Sequence, residues 1–134
     1  MSSILRTTTM PRFVILRHLM PADGDRPSHW DLMFEQDAVL RTWAMAEPLR
    51  ASAVVEAEQL ADHRLAYLEY EGPVSRNRGT VERWDAGQYR LESADDDHWT
   101  ATLDGERIYG LVTLKRRDST HSWRVSFSAA PTSG

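Results

Sequence analysis

The stretch Ser28–Phe34, with the sequence SHWDLMF, carries a large apolar side chain at every second position. Side chains of an extended strand point alternately to its two faces, so this pattern predicts a strand that packs one face on a core. That apolar face consists of Trp30, Leu32 and Phe34. The opposite face consists of His29, Asp31 and Met33. An imidazole and a carboxylate are therefore predicted to lie side by side on a rigid element, facing away from that core.

A second histidine, His18, ends the preceding segment Arg12–His18, which is rich in β-branched and apolar residues and is predicted to be a strand. Two histidines and one carboxylate form a known ligand set for a divalent metal ion that keeps coordination positions open. His18, His29 and Asp31 are therefore the residues expected to carry chemistry. The alternative for each histidine is a half-buried residue of the sheet that is hydrogen-bonded and has no further role.

The composition is ordinary for a globular domain and excludes several kinds of site. The 134 residues are 41% hydrophobic and 27% charged, which fits one domain large enough to bury a core. The absence of cysteine excludes disulfides, a thiolate zinc site and a cysteine nucleophile. Neither a membrane span nor the pattern of a signal peptide is present, so we expect a cytoplasmic protein without membrane contact.

The charge balance argues against a protein that coats nucleic acid. Sixteen basic and twenty acidic residues give a formal net charge of −4, whereas proteins that grip long stretches of DNA are usually basic. A local patch could still hold one phosphate or one strand end. The candidates are Arg76, Arg78 and Arg83, or the run Lys115–Arg117. The alternative for both clusters is a solvated strand edge or turn.

The rest of the chain is punctuated like a series of short strands. Further strands are predicted at Leu40–Met45, Thr80–Trp84, Gln88–Leu91, Trp99–Leu103, Arg107–Lys115 and Ser122–Phe127. The glycine-containing segments Asp85–Gly87 and Asp104–Glu106 are predicted to be hairpin loops. Ala51–Leu60 is ambiguous, but its alanines and glutamates make it the best candidate for a helix.

These elements predict a mainly β chain, a small antiparallel β-barrel with one short helix or a few helical turns. We expect a single domain over residues 12–128. The small and polar segments 1–11 and 129–134 are expected to be flexible ends.

An ordered set of segments matches the pattern of a known family. The segments are Phe13–His18, His29–Asp31, Leu40–Ala44, Asp62–Tyr67, Tyr70–Gly72, Gly79–Val81, Trp84–Gly87 and, more weakly, Leu103–Gly110. The chain thereby resembles the 3′-phosphoesterase domain of bacterial DNA ligase D over about residues 12–115. Because the pattern of the ligase and polymerase modules is missing, we expect a free-standing, divergent single-domain member.

The resemblance implies a compact β-barrel that trims DNA 3′ ends by removing a 3′-phosphate or a 3′-terminal ribonucleoside. It implies a divalent metal, most often manganese with zinc as an alternative, held by His18, His29 and Asp31. It places His63 and Tyr67 beside the scissile phosphate as catalytic residues. The implied partners are DNA or RNA/DNA 3′ ends and other end-joining repair proteins.

The chain departs from the family pattern at three places. Met33 stands two residues after the metal aspartate, where the family commonly has an arginine that binds phosphate. The glycine-rich loop of the family is shortened to Pro73–Gly79, and Pro21–Arg26 lengthens the interval between the two histidines. Arg76 and Arg78 are the candidate phosphate-binding residues that would replace the missing arginine.

The leading hypothesis is a metal-dependent phosphoesterase, a hydrolase of the ligase D type that acts in DNA repair. One alternative is a catalytically weak or inactive module of the same fold that binds nucleic-acid ends or a protein partner. Another is a small-molecule phosphoesterase or a different metalloenzyme, because a fold does not determine a function.

Overall fold

A computed structural model describes residues 10–118 and 120–130. Within them the chain forms nine strands and one 3₁₀ helix, Leu65–Leu68. The strands are β1 (Arg12–Leu19), β2 (His29–Gln36), β3 (Val39–Met45), β4 (Val54–His63), β5 (Gly72–Pro73), β6 (Thr80–Asp95), β7 (His98–Gly105), β8 (Tyr109–Arg116) and β9 (Ser122–Ala129). The ends predicted to be flexible lie mostly outside the described residues, so the domain bounds 12–128 stay a prediction. None of the described helical segments is long and apolar enough to cross a membrane.

The strands form one antiparallel sheet that closes on itself. Their order is β1-β2-β3-β4-β9-β8-β7-β6, and β6 pairs with β1 to complete the ring. The two-residue strand β5 pairs with the first two residues of β6, Thr80 and Val81. The prediction of a mainly β, barrel-like antiparallel fold with one short helical turn is therefore confirmed.

Two apolar clusters lie on opposite faces of β1 and β2. The larger cluster takes buried side chains from all eight strands of the ring, among them Ile15, Leu32 and Trp43, and therefore fills its inside. The smaller cluster lies on the outer face, where Leu68 of the 3₁₀ helix packs against Met33 and its neighbours. The alternation predicted along Ser28–Phe34 is correct, and apolar contacts bury Met33 on the outer face.

The helix predicted at Ala51–Leu60 is wrong. Most of this segment belongs to β4, which pairs with β3 on one side and β9 on the other. Val55 packs inside the ring and Ala57 packs partly against the same cluster, while Glu56 and Glu58 point outward. Tertiary pairing on both edges overrides the helix propensity of alanine and glutamate.

The hairpin loop predicted at Asp85–Gly87 is also wrong, because β6 continues through it. Gly87 lies between Phe13 and Gly105, and a side chain there would overlap the carbonyl group of Asp104. The buried carboxylate of Asp85 accepts hydrogen bonds from four main-chain N–H groups, three of them in residues 106–108. Asp85 therefore fixes the hairpin between β7 and β8. This hairpin was predicted correctly, but its connection comprises residues 106–108 and not Asp104–Glu106.

Candidate metal centre

Two histidines and one aspartate converge on the outer face of the β1–β2 pair. His18 and His29 lie directly opposite each other in the ladder, and Asp31 follows on the same face of β2. The imidazole centroids are 4.7 Å apart. One potential ligand atom from each of the three residues lies within 4.8 Å of the others. The structure thus brings together the three residues that were predicted to bind metal.

The histidines are oriented by main-chain carbonyl groups on the side away from Asp31. Nε2 of His18 donates to the carbonyl oxygen of Arg78 at 2.7 Å, and Nδ1 of His29 donates to that of Pro27 at 2.9 Å. A carbonyl oxygen only accepts, so each of these nitrogens carries a hydrogen. In a neutral ring the other nitrogen then presents a lone pair toward the centre. This arrangement of outer hydrogen bonds is typical of histidines that bind metals.

The inner atoms of the cluster are all hydrogen-bond acceptors when both histidines are neutral. Nδ1 of His18 lies 3.2 Å from Oδ2 of Asp31, and Nε2 of His29 lies 3.1 Å from Oδ1. The second approach lacks hydrogen-bond geometry, and the buried Oδ1 has no hydrogen-bond partner among the described residues. Acceptors that face one another need a proton or a cation between them. The three ligand atoms therefore fit a divalent transition metal.

Burial strengthens the interactions between the Asp31 carboxylate and the two imidazoles, because little water is present to screen them. His29 is 6% exposed and Asp31 is 2% exposed. Burial alone would lower the pKa of His29, but the adjacent Asp31 carboxylate raises it above its usual value. Burial would raise the pKa of Asp31, but contacts with His18 and His29 lower it below its usual value. Asp31 is therefore held as an anion that attracts positive charge into the cluster.

His63 and Tyr67 lie beside the cluster but outside the set of potential ligands. Nδ1 of His63 donates to the carbonyl oxygen of Ala61 at 2.8 Å, which fixes the ring at the end of β4. The ring of Tyr67, on the 3₁₀ helix, packs edge-on against it at 5.7 Å between centroids. Nε2 of His63 is therefore the ring nitrogen without a hydrogen-bond partner among the described residues.

Arg76 and Arg78 lie on the loop that follows β5. Arg76 and Asn77 adopt left-handed backbone conformations, which form the tip of this loop. The guanidinium of Arg78 donates to the carbonyl oxygen and the hydroxyl oxygen of Ser75, both in its own loop. Both arginines line a cleft of about 380 Å³ that also contains the cluster. A smaller cleft of about 260 Å³ opens on the other side of His18 and Asp31 and reaches Tyr67.

Two contributions to the cluster were missed from the sequence. They are the carbonyl groups of Pro27 and Arg78, which orient the histidines through atoms that every residue carries. The composition of the chain therefore holds no signal for them. The one indirect sign is Gly79, whose positive φ and close approach to Leu19 hold the loop against the end of β1.

Comparisons with known proteins identify the family to which this sequence is similar. Residues 22–116 match the model of the DNA Ligase D 3′-phosphoesterase domain, a span that includes all the predicted site residues except His18. The chain is 35% identical to the multifunctional non-homologous end joining protein LigD of Mycobacterium bovis over 113 aligned positions, an alignment that covers 78% of the chain. It is 29% identical to the protein of the same name from Pseudomonas aeruginosa over 130 aligned positions, an alignment that covers 87% of the chain.

These relatives are much longer proteins. The matched regions make up 14% of the Mycobacterium bovis protein and 15% of the Pseudomonas aeruginosa protein. The similarity is therefore to one domain of each relative. The match over most of its length shows that the chain belongs to the DNA ligase D 3′-phosphoesterase domain family.

Proposed function

We propose that this chain is a metal-dependent phosphoesterase that removes a 3′-phosphate or a 3′-terminal ribonucleoside from DNA ends during repair. The observation that carries this proposal is the buried cluster of His18, His29 and Asp31, in which acceptor atoms face one another at the edge of a cleft. Family membership supports the choice of reaction. The relatives are named for non-homologous end joining, so DNA ends and other end-joining proteins are the proposed partners.

His18, His29 and Asp31 would hold the divalent ion, with manganese as the first candidate and zinc as the second. Nδ1 of His18, Nε2 of His29 and the Asp31 carboxylate are the atoms that face one another. An ion bound there supplies Lewis acidity, which stabilises negative charge on a phosphate oxygen. The hydrogen bonds to Pro27 and Arg78 keep both rings in the tautomer that this role needs.

His63 and Tyr67 would act on the phosphate from the neighbouring wall of the cleft. With Nδ1 of His63 bound to a carbonyl group, a proton is taken up or released at Nε2. As an imidazolium, His63 donates from Nε2 to a phosphate oxygen and stabilises the charge that spreads over the oxygens in the transition state. Tyr67 supports the orientation of the His63 ring through their edge-on contact.

Arg76 is the best candidate for a phosphate-binding cation. It lines the larger cleft at the tip of its loop, and its side chain makes no hydrogen bond or ion pair in the described part of the chain. Arg78 lines both clefts, but its guanidinium is bound to Ser75 and would have to leave this residue to reach a substrate. Arg78 contributes to the cluster through its carbonyl group without such a change.

The decisive experiment measures release of inorganic phosphate from a DNA primer with a 3′-phosphate in the presence of Mn²⁺. We expect wild-type activity to depend on the metal and His29→Ala to reduce it by more than about 100-fold, because a ligand is lost. His121→Ala, an exposed histidine before β9, serves as the matched control and should retain activity. The proposal is wrong if, with each of Mn²⁺, Zn²⁺ and Mg²⁺, the wild-type protein releases neither phosphate from this primer nor the terminal nucleoside from a primer that ends in a ribonucleoside.

One observation favours a second candidate, a module of the same fold that binds DNA ends without cleaving them. Met33 is 1% exposed in the same apolar cluster as Leu68 and Val81, so position 33 offers no phosphate-binding cation next to Asp31. Tight binding of Mn²⁺ and of 3′-phosphorylated DNA, combined with no turnover, would select this candidate.

A further inference from the structure

The outer face of β8 and β9 carries a basic groove that reaches the start of β4. Its volume is about 570 Å³. Four cationic side chains line this groove, and no carboxylate of the described residues does so. The four are Lys115, Arg116, Arg117 and Arg124, which include the whole basic run Lys115–Arg117. The groove is therefore locally positive in a chain whose formal net charge is −4.

Two of these cations face each other across neighbouring strands. Lys115 and Arg124 are directly opposite in the β8–β9 ladder, and both are exposed. Like charges in this relation destabilise a sheet, because their Cβ atoms are only about 5 Å apart. The fold therefore keeps an unfavourable pair of charges, which an anion bound in the groove would relieve.

The neighbouring carboxylates compensate only part of this charge. Glu56 pairs with Arg124 at 3.4 Å through one oxygen and with Arg117 at 3.0 Å through the other. Lys115 makes no ion pair in the part of the chain that the structure describes. The outward-pointing side chains of the groove thus combine three cations with a single carboxylate.

Arg116 has a structural role and adds little to this excess. Its guanidinium pairs with Asp97 at 3.2 Å and lies over the ring of Trp123, 5.0 Å from the centroid. It also donates to the carbonyl oxygens of Asp96 and Thr120. The cations available to a ligand are therefore Lys115, Arg117 and Arg124.

The rest of this face is uncharged and partly apolar. Thr113 and Ser126 form the next outward-facing pair of the β8–β9 ladder, and Val54 of β4 lies opposite Ser126. Val54 is 62% exposed, and Leu111, farther along β8, is 38% exposed. A ligand that combines carboxylates with apolar side chains matches this surface, because it answers both the charge and the exposed apolar groups.

The closed ring separates this groove from the candidate metal centre. β8 is four strands away from β2 in both directions around the eight-stranded ring, so the outer faces of these two strands point in opposite directions. A ligand in the groove therefore leaves the clefts at the metal centre free.

A protein segment suits the groove better than a nucleic-acid backbone does. Phosphate groups gain nothing from the exposed side chains of Val54 and Leu111. The net negative charge of the chain also opposes the electrostatic attraction on which binding to a DNA backbone depends.

We propose that the groove lined by Lys115, Arg117 and Arg124 is a docking site for an acidic, partly apolar segment of a protein partner. Carboxylates of the partner pair with these three cations, and its apolar side chains cover Val54 and Leu111. This inference does not depend on the proposed function, because the groove contains none of the residues assigned to metal binding or catalysis.

The test uses fluorescence anisotropy of a labelled peptide of alternating glutamate and valine, titrated with the full chain. We expect saturable binding, and we expect Lys115→Glu to weaken it by at least about tenfold, because repulsion replaces a charge-assisted hydrogen bond. The melting temperature of this variant should not fall, since a glutamate opposite Arg124 turns a like-charge pair into an attractive one. Arg90→Glu is the matched control. It makes the same change in net charge on β6, outside the groove, and should keep the wild-type affinity.

Two further probes decide the class of ligand. A peptide of alternating lysine and valine should not bind. A closed DNA duplex with a loop at each end, which has no 3′ end, should bind more weakly than the acidic peptide. A Kd above about 1 mM for the acidic peptide, or equal affinities in Lys115→Glu and Arg90→Glu, would overturn the inference. Tighter binding of the closed duplex, lost in Lys115→Glu, would overturn it as well and make the groove a nucleic-acid site.

Discussion

The carbonyl oxygen of Arg78 accepts a 2.7 Å hydrogen bond from Nε2 of His18, which joins the loop that carries Arg76 and Arg78 to the candidate metal centre through the main chain. The loop is held in this position at Gly79, where the backbone has a φ of +87° and runs close to the carbonyl group of Leu19. The orientation of His18 therefore depends on a glycine that is not itself part of the cluster.

We expect Gly79→Ala to weaken Mn²⁺ binding. The added methyl group would overlap the carbonyl oxygen of Leu19, so the loop must move and withdraw the Arg78 carbonyl from His18. Loss of an outer hydrogen bond to a metal-binding histidine costs about 10–100-fold in affinity. Titration with Mn²⁺ monitored by calorimetry measures this change. Arg78→Ala keeps the carbonyl group and removes the guanidinium, so its affinity should stay close to that of the wild type. Equal losses in both variants would contradict the role of the main chain.

Arg76→Ala should lower kcat/KM on a 3′-phosphorylated primer by about 10–100-fold, the value of one charge-assisted hydrogen bond to phosphate. Steady-state kinetics at several salt concentrations checks this prediction. Arg90→Ala is the control, because Arg90 pairs with Glu92 on β6 and lines neither cleft. An Arg76→Ala enzyme with wild-type kcat/KM would show that the loop does not bind the phosphate.

Met33→Arg should destabilise the fold and not restore a phosphate-binding cation. Met33 is 1% exposed among apolar side chains, and a buried guanidinium without a partner costs several kcal/mol, about 3 or more. Met33→Leu conserves volume and should cost less than about 1.5 kcal/mol. Urea unfolding of both variants gives the two free energies. A stable Met33→Arg protein with increased activity would show that the outer face of β2 can open beside Asp31.

Tyr89 should make stability fall in strongly alkaline solution. Its hydroxyl is buried and donates to the carbonyl oxygen of Glu35, and burial raises its pKa to about 12. In the unfolded chain tyrosine titrates near 10, so the folded state holds this proton more tightly between about pH 10 and 12. The contribution of Tyr89 is complete below pH 10 and then decreases by about 1.4 kcal/mol per pH unit up to pH 12. Urea unfolding between pH 9 and pH 11.5 measures this loss. Tyr89→Phe should lack this part of the decrease, and an identical pH dependence in both proteins would contradict the assignment.

The fold was predictable where the alternation of side chains was strong. Trp30, Leu32 and Phe34 differ so much from His29 and Asp31 that the strand and its faces followed from the sequence. In β4 the side chains of Val55 and Ala57 point into the ring, and those of Glu56 and Glu58 point outward. Because valine and alanine are small, this alternation was a weaker signal than the helix propensity of alanine and glutamate.

The positions of the site residues were predicted better than the contacts that hold them. His18, His29 and Asp31 were grouped from their residue types and their predicted strands, and the structure places them together. The orienting carbonyl groups of Pro27 and Arg78 carry no side-chain signature. Met33 is buried because the 3₁₀ helix packs over the outer face of the sheet. That contact joins segments distant in sequence, so the residues around Met33 do not signal it.

The closure of the ring determines when the candidate metal centre can form. His18 lies on β1, which is made first, but its neighbour across the closing seam is Val81 on β6, and its carbonyl partner is Arg78. Contacts between residues so far apart in sequence form late in folding, because a long loop must close before they can be made. A chain that is still being synthesised can hold His18 near His29 through β1 and β2, but it lacks the loop that orients His18 until residue 79 has emerged. Tight metal binding at the proposed site would therefore be delayed until the loop that carries Arg78 and the first residues of β6 have been made.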